Sequence, residues 1–121
     1  MLTGVSPILL VTDLERSCAW WREQVGFETE VFNGNFAIAT RDSVSVFMAL
    51  SPQPSVYWHV VENMWNVYIR VDDVDALYAE VQERRAEIDY SLYDAPHGMR
   101  EFGLSDPDGH DIAFGQPIRP A

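Results

Sequence analysis

Polar and apolar residues alternate over two short segments near the C-terminal end of the chain, residues 100–104 and 110–114. A period of two is typical of strands that are buried on one face. Between them lies Asp-Pro-Asp-Gly at 106–109, in which proline presets φ, aspartate side chains bond nearby amides and glycine accepts a left-handed conformation. The pattern predicts an antiparallel β-hairpin.

A helical period follows the first predicted strand, residues 5–11. Thr12 and Glu15 have the spacing of a capping box, in which the threonine hydroxyl accepts an early amide hydrogen bond and the glutamate reaches back. Apolar residues then recur on one face, at Leu14, Cys18, Trp21 and Val25. Gly26 supplies a helix stop. These signals predict an amphipathic helix that packs on a sheet.

The order of predicted elements occurs twice. In the first half, strands at 27–32, 35–40 and 43–50 follow the helix, and Asn33-Gly34 is a strong tight-turn signal between two of them. The second half has predicted strands at 66–71, 88–93, 100–104 and 110–114, an irregular loop at 95–98 and a helix capped at Asp72. We therefore predict a single α+β domain of two βαβββ modules with mostly antiparallel sheets, made of residues 1–50, a linker at 51–65, and residues 66–121.

Several segments carry a family resemblance. They include residues 11–17, Trp-Trp-Arg at 20–22 ahead of Val-Gly-Phe at 25–27, Asn-Phe-Ala at 35–37, and Arg-Glu-Phe at 100–102 before Asp-Pro-x-Gly. The chain thereby resembles the vicinal oxygen chelate superfamily of glyoxalase I, extradiol dioxygenases and bleomycin resistance proteins, and is most similar to the bleomycin resistance branch. The resemblance implies two open sheets around a ligand-binding cleft.

The resemblance also implies where a metal would be held, because the metalloenzymes of the superfamily place a histidine on the first strand and a glutamate on the last strand of each half. Counting along the predicted strands puts these positions at Ser6, Phe47, Asn66 and Ala113. None has an imidazole or a carboxylate. We therefore expect no metal, no cofactor and no catalytic residue.

Aromatic and polar residues of the predicted cleft are the candidates for ligand binding. Phe36 matches a phenylalanine at the drug groove of bleomycin resistance proteins, and His97 stands where that family has a tryptophan. The full candidate set is Phe36, Phe47, Trp58, Asn66, Tyr68, His97, Phe102 and Asp111. The leading hypothesis is a metal-independent binding protein that sequesters a planar or cationic antibiotic or other natural product. Arg100 is interpreted as a structural residue that pairs with Asp106 or Asp108.

Two alternatives belong to other classes. One is a glyoxalase-type lyase or isomerase that uses Asp111, Glu101 or His110 as acid or base without a metal. The other is an interaction module without a small ligand, which a cleft filled by its own side chains would favour.

The composition of the chain restricts the classes of partner that we expect. The net charge of −11, from 8 Lys and Arg against 19 Asp and Glu, argues against nucleic acid as a partner. No apolar run reaches the roughly 18 residues of a membrane span, and the single cysteine, Cys18, cannot form an internal disulfide. We expect a cytoplasmic protein with a small-molecule ligand. Open sheet edges and the resemblance predict a homodimer.

Overall fold

The computed structural model of the chain describes residues 1–51 and 65–118. The chain forms two compact units, Met1–Tyr57 and Trp58–Ala121. The described elements, in chain order, are β1 (Ile8–Val11), α1 (Leu14–Val25), β2 (Glu28–Phe32), β3 (Phe36–Arg41), β4 (Val44–Leu50), β5 (Val67–Arg70), α2 (Val74–Glu83), β6 (Ile88–Asp94), β7 (Met99–Ser105) and β8 (Asp111–Pro117). Two βαβββ modules and an α+β fold are confirmed.

Each unit has a four-stranded sheet of the same topology. The strand order is β1-β4-β3-β2 in the first unit and β5-β8-β7-β6 in the second. The first strand of each module pairs in parallel with the last, and the remaining pairs are antiparallel. Ile8 lies opposite Phe47, and Tyr68 lies opposite Ala113. The predicted duplication is therefore visible in the hydrogen-bonding pattern.

The N-caps of the two helices lie one residue later than predicted. Asp13 is the N-cap of α1, where its side chain accepts a hydrogen bond from the Arg16 amide, and Asp73 caps α2 in the same way through the Ala76 amide. The prediction that Thr12 and Asp72 hold these positions is wrong. In both helices the aspartate accepts a hydrogen bond from the amide three residues later, which satisfies one of the unpaired donors of the first turn.

Alternate strand residues pack against the helices. In the first unit Leu9, Val46 and Met48 are buried, together with Trp21 of α1. In the second unit the buried apolar residues of the same parity are Val67, Ile69, Phe102, Leu104, Ile112 and Phe114. Burying a large apolar side chain contributes roughly 1.5 to 3 kcal/mol, so these two layers supply the driving force for folding. Burial alternates along β1, β3, β4 and β5, as the predicted period of two requires. In β7 and β8, four consecutive residues are buried, 101–104 and 112–115, because both faces of these strands are covered.

The turn at residues 106–109 joins β7 to β8 as predicted. Asp106 Oδ1 accepts hydrogen bonds from the amides of Asp108 and His110, at 3.0 and 2.8 Å, and Asp106 Oδ2 lies 2.7 Å from His110 Nδ1. His110 is buried. At 3% exposure its imidazole has almost no surface open to a substrate, so we leave His110 out of the acid-base candidates.

No helix among the described residues combines the length and the apolar composition needed to cross a membrane.

Candidate functional site

Two glycines on one face of the second sheet make room for tyrosine rings. On the other face, Phe102 packs against Tyr78 of α2, so its β7 neighbours point to the opposite side. A Cβ on Gly115 would overlap the hydroxyl of Tyr68, and a Cβ on Gly103 would overlap the ring of Tyr90. Because glycine has no side chain, both tyrosine rings can lie close against the strands.

The carboxylate of Glu101 lies between these two rings and is only 1% exposed. The Tyr68 hydroxyl donates to Oε1 at 3.1 Å, and the Tyr90 hydroxyl donates to Oε2 at 2.6 Å. His97 Nε2 lies 2.5 Å from Oε1. Burying a carboxylate is costly unless hydrogen bonds compensate for the lost water, and three side chains provide them here.

A tight turn between β6 and β7 positions His97. The Gly98 amide donates to the Ala95 carbonyl at 3.0 Å, and Pro96 occupies the second position, where its fixed φ suits a turn. Gly98 has φ of 90°, which glycine adopts without steric cost. The loop that was predicted to be irregular is therefore an ordered turn. It directs one edge of the imidazole at Glu101 and leaves the side chain 44% exposed.

Trp65 contacts both tyrosines and His97, and it is 42% exposed. Its indole Nε1 donates to the Tyr90 hydroxyl at 3.0 Å. Its ring centroid lies 4.8 Å from that of Tyr68 and 5.7 Å from that of His97, both in edge-to-face geometry. We call Trp65, Tyr68, Tyr90, His97 and Glu101 the Glu101 cluster.

Both tyrosines of the Glu101 cluster keep their protons at neutral pH. Burial, and then the hydrogen bond to Glu101, raises the pKa of Tyr68 to about 12. The same two causes raise the pKa of Tyr90 above its usual range. Each phenol is therefore a donor to the carboxylate, because losing its proton would place two negative charges side by side.

The other candidate residues occupy separate places. Phe36 and Phe47 belong to the first unit, with ring centroids 5.4 Å apart. Phe102 is fully buried and stacked on Phe114, on the face that packs against α2, so it is a core residue and we leave it out of the site. Trp58 lies outside the described residues.

Asn66 and Asp111 form a second polar contact in this unit. Asn66 Oδ1 accepts a hydrogen bond from the Asp111 amide at 2.8 Å. Burial, and then the neighbouring charge of Asp89, raises the pKa of Asp111. Neither residue is hydrogen-bonded to the Glu101 cluster in the described part of the chain, so we do not place them in it.

Arg100 has partners that differ from the predicted ones. Its guanidinium makes two hydrogen bonds to Asp75, at 2.9 and 3.1 Å, and a third to Asp94 at 3.0 Å. The structural interpretation of Arg100 holds, but pairing with Asp106 or Asp108 is wrong. The Asp106 carboxylate bonds within its own turn instead.

The positions that correspond to the metal ligands of the metalloenzymes do not fit a divalent ion. Phe47 and Ala113 have no donor atom in their side chains, and Asn66 Oδ1 is occupied by the Asp111 amide. The remaining position, Ser6, offers only a hydroxyl, which is a weak ligand beside imidazole and carboxylate. Within the described part of the chain, no group of three or more His, Cys, Asp and Glu side chains is placed to hold a metal.

Sequence reasoning missed two members of the Glu101 cluster. Neither Tyr90 nor Trp65 is among the candidate residues predicted from the sequence. The signal for Tyr90 is the pairing of an aromatic residue with Gly103 on the adjacent strand, because a strand glycine often marks the close approach of another group. That pairing follows from a register shift in β6, which the sequence pattern does not show.

The repeated βαβββ topology and the tyrosine-ringed carboxylate define an α+β protein of two modules whose second sheet has a polar, aromatic face. The chain belongs to the Glyoxalase/Bleomycin resistance protein/Dioxygenase superfamily, whose profile matches residues 5–114. The resemblance found in the sequence is thereby confirmed.

Solved structures show the same fold. The bleomycin-binding protein from bleomycin-producing Streptomyces verticillus, complexed with copper(II)-bleomycin, is 24% identical, with a TM-score of 0.78 and 98% of each chain covered. TnmS3, an antibiotic binding protein from Streptomyces sp. CB03234, is 24% identical, with a TM-score of 0.71 and 97% of this chain and 98% of that chain covered. A glyoxalase/bleomycin resistance protein/dioxygenase from Alicyclobacillus acidocaldarius is 15% identical, with a TM-score of 0.82 and 97% and 92% covered. No curated protein sequence matches the chain.

Proposed function

We propose that this chain is a metal-independent small-molecule-binding protein that sequesters a planar or cationic antibiotic or other natural product. The observation that carries the proposal is the buried carboxylate of Glu101, which is 1% exposed and lies beneath the half-exposed rings of Trp65 and His97. The proposed contact surface is the outer side of the Glu101 cluster.

Electrostatics favours a cationic ligand there. The carboxylate is buried, so water screens its charge less than that of a surface group. Aromatic faces also attract cations through their quadrupole, by about 0.5 to 2 kcal/mol. The net charge of −11 adds a long-range attraction that increases the rate of encounter with cations.

The comparisons support the ligand class. Two of the structurally similar proteins are described as a bleomycin-binding protein and an antibiotic binding protein. The donor-poor positions Phe47 and Ala113 support metal independence, because they lack any group that could coordinate an ion.

Tryptophan fluorescence tests the proposal. The protein is titrated with a panel of cationic and polycyclic compounds that includes doxorubicin and proflavine, and the change in emission is compared between the wild type and Trp65→Phe. We expect saturable quenching that is reduced in the variant. Binding no tighter than about millimolar for every compound, or about −4 kcal/mol, would refute the proposal.

A second candidate function is acid-base catalysis without a metal. It is favoured by the 2.5 Å contact between His97 and buried Glu101, since a carboxylate that orients a histidine is a frequent arrangement in general-base catalysis. Turnover of lyase and isomerase substrates that is abolished in His97→Phe would establish it. Turnover that is unchanged in this variant would remove it.

We also propose a cytoplasmic homodimer in which each chain is a single domain of two repeats. The exposed apolar residues of the first unit, including Ile8 at 61% and Val31 at 51%, support assembly because such surface is unfavourable in water. Light scattering at micromolar concentration should give about twice the chain mass of 13.8 kDa. A mass near 13.8 kDa would refute the dimer.

A further inference from the structure

The contact with Glu101 fixes which nitrogen of His97 carries hydrogen. Tyr68 and Tyr90 both donate to the Glu101 carboxylate, and an ionised carboxylate can only accept. His97 Nε2, 2.5 Å from Oε1, is therefore the donor in the third bond. In a neutral imidazole the other nitrogen, Nδ1, is then an acceptor.

The His97 side chain is partly exposed to solvent. Nδ1 is on the opposite side of the imidazole from the edge that meets the buried carboxylate, and the side chain is 44% exposed. Within residues 1–51 and 65–118, no hydrogen bond to Nδ1 is found. The cluster thus presents an oriented acceptor nitrogen beside the exposed ring of Trp65.

Charge and hydrogen bonding together select the ligand. With a neutral imidazole, the His97–Glu101 pair carries one negative charge, which favours a cation. The outward nitrogen accepts a hydrogen bond, which requires an N–H on that cation. Both tyrosine hydroxyls donate to Glu101, and the Tyr90 hydroxyl already accepts a hydrogen bond from Trp65 Nε1.

We infer that the Glu101 cluster binds a planar cation that bears an N–H group, such as an amidinium or a protonated aromatic amine, through a hydrogen bond to His97 Nδ1. This inference rests on the proposed binding function and names its ligand class. Glu101 is the positioning residue that sets the His97 tautomer. A quaternary ammonium has the charge but no hydrogen to donate, so it is a poor ligand.

Two matched probes test this selectivity, each with one phenyl ring and one positive charge. Benzamidine bears N–H groups, and phenyltrimethylammonium bears none. Because hydrogen bonds to charged groups are among the stronger ones, we expect benzamidine to bind about ten-fold to a hundred-fold more tightly in calorimetric titration. Equal affinities would overturn the inference and indicate attraction by charge alone.

Variants assign the preference to His97. In His97→Phe the aromatic ring is kept and the acceptor is lost, so the two probes should bind with equal, weak affinity. Glu83→Gln, at the exposed end of α2, removes one negative charge outside the cluster; it controls for the overall charge and should keep the wild-type ratio. A preference for benzamidine that persists in His97→Phe would overturn the inference.

The tautomer of His97 can be measured directly, and a purely structural role of Glu101 would not change it. In the ¹⁵N-labelled protein, two-bond proton–nitrogen correlation spectra should show the Nε2-protonated form of His97, and Nδ1 should shift on addition of benzamidine. In Glu101→Gln the Nδ1-protonated form should become populated. A dominant Nδ1-protonated form in the wild type would overturn the inference.

The outcomes separate this inference from the proposed function. If the antibiotic panel binds and neither small probe does, the ligand class is wrong and the binding function stands. If the panel itself fails to bind, the proposed function is wrong and the inference fails with it.

Discussion

Tyr68 lies across Gly115, and its hydroxyl occupies the space into which a Cβ on that glycine would project. From there it donates to Glu101 at 3.1 Å. Because Gly115 has no side chain, the Tyr68 phenol can occupy this position. Gly103 has the same relationship to the ring of Tyr90.

Gly115→Ala should displace the Tyr68 ring. The new methyl group would overlap the hydroxyl, and overpacking of this kind costs about 1 to 3 kcal/mol. We expect a lower free energy of unfolding in urea and weaker ligand binding. Gly4→Ala is the control, because no atom lies within 4 Å of its added Cβ. A Gly115→Ala variant as stable as the wild type would contradict the packing described for Tyr68.

Tyr90→Phe should destabilise the protein more than Tyr68→Phe. The Tyr90 hydroxyl donates to Glu101 at 2.6 Å and also accepts from Trp65 Nε1, whereas the Tyr68 bond is longer, at 3.1 Å. Leaving a buried polar group without its partner costs about 1 to 3 kcal/mol. Urea unfolding of both variants measures the loss in the free energy of unfolding. A larger loss for Tyr68→Phe than for Tyr90→Phe would contradict this prediction.

Asp111→Asn should stabilise the protein near neutral pH. Burial, and then the charge of Asp89, raises the pKa of Asp111, so the folded state keeps this proton to a higher pH than the unfolded chain does. The stability contributed by Asp111 is fully present below its unfolded pKa, which is about 3.9, and is lost as pH rises through the folded value.

The melting temperature as a function of pH measures this effect. The advantage of Asp111→Asn should be present at pH 7 and disappear as the pH falls below about 4. Asp89→Asn provides an independent check, because removing that charge should lower the pKa of Asp111 in an NMR titration. An advantage that is constant at every pH would assign the effect to something other than ionisation.

The fold was largely predictable from the sequence because its signals are local. The period-two strands, the Asn33-Gly34 turn and the Gly26 helix stop each depend on a few neighbouring residues. The structure gives Asn33 and Gly34 φ values of 54° and 69°, as a tight hairpin requires, and Gly26 a φ of 74°. The helix caps were misplaced by one residue because Thr12 and Asp13 are both good capping residues.

The candidate site was less predictable because it depends on contacts between strands. Tyr68 and His97 were identified, but their common partner Glu101 was considered only as an acid-base candidate. The contact between Tyr90 and Glu101 depends on register shifts in the pairing of β6 with β7. Alternation along one strand indicates which face a residue lies on, but not which residue of a neighbouring strand it meets.

The central claim, that the Glu101 cluster is a ligand-binding surface, is tested most directly by mapping where a planar cation binds. The ¹⁵N-labelled protein is titrated with proflavine, and amide chemical shifts are followed along the chain. The account predicts saturable changes that are largest at Trp65, Tyr68, His97 and Glu101 and that are reduced in His97→Phe. Saturable changes confined to the first unit, around Phe36 and Phe47, or no saturable change at all, would contradict it.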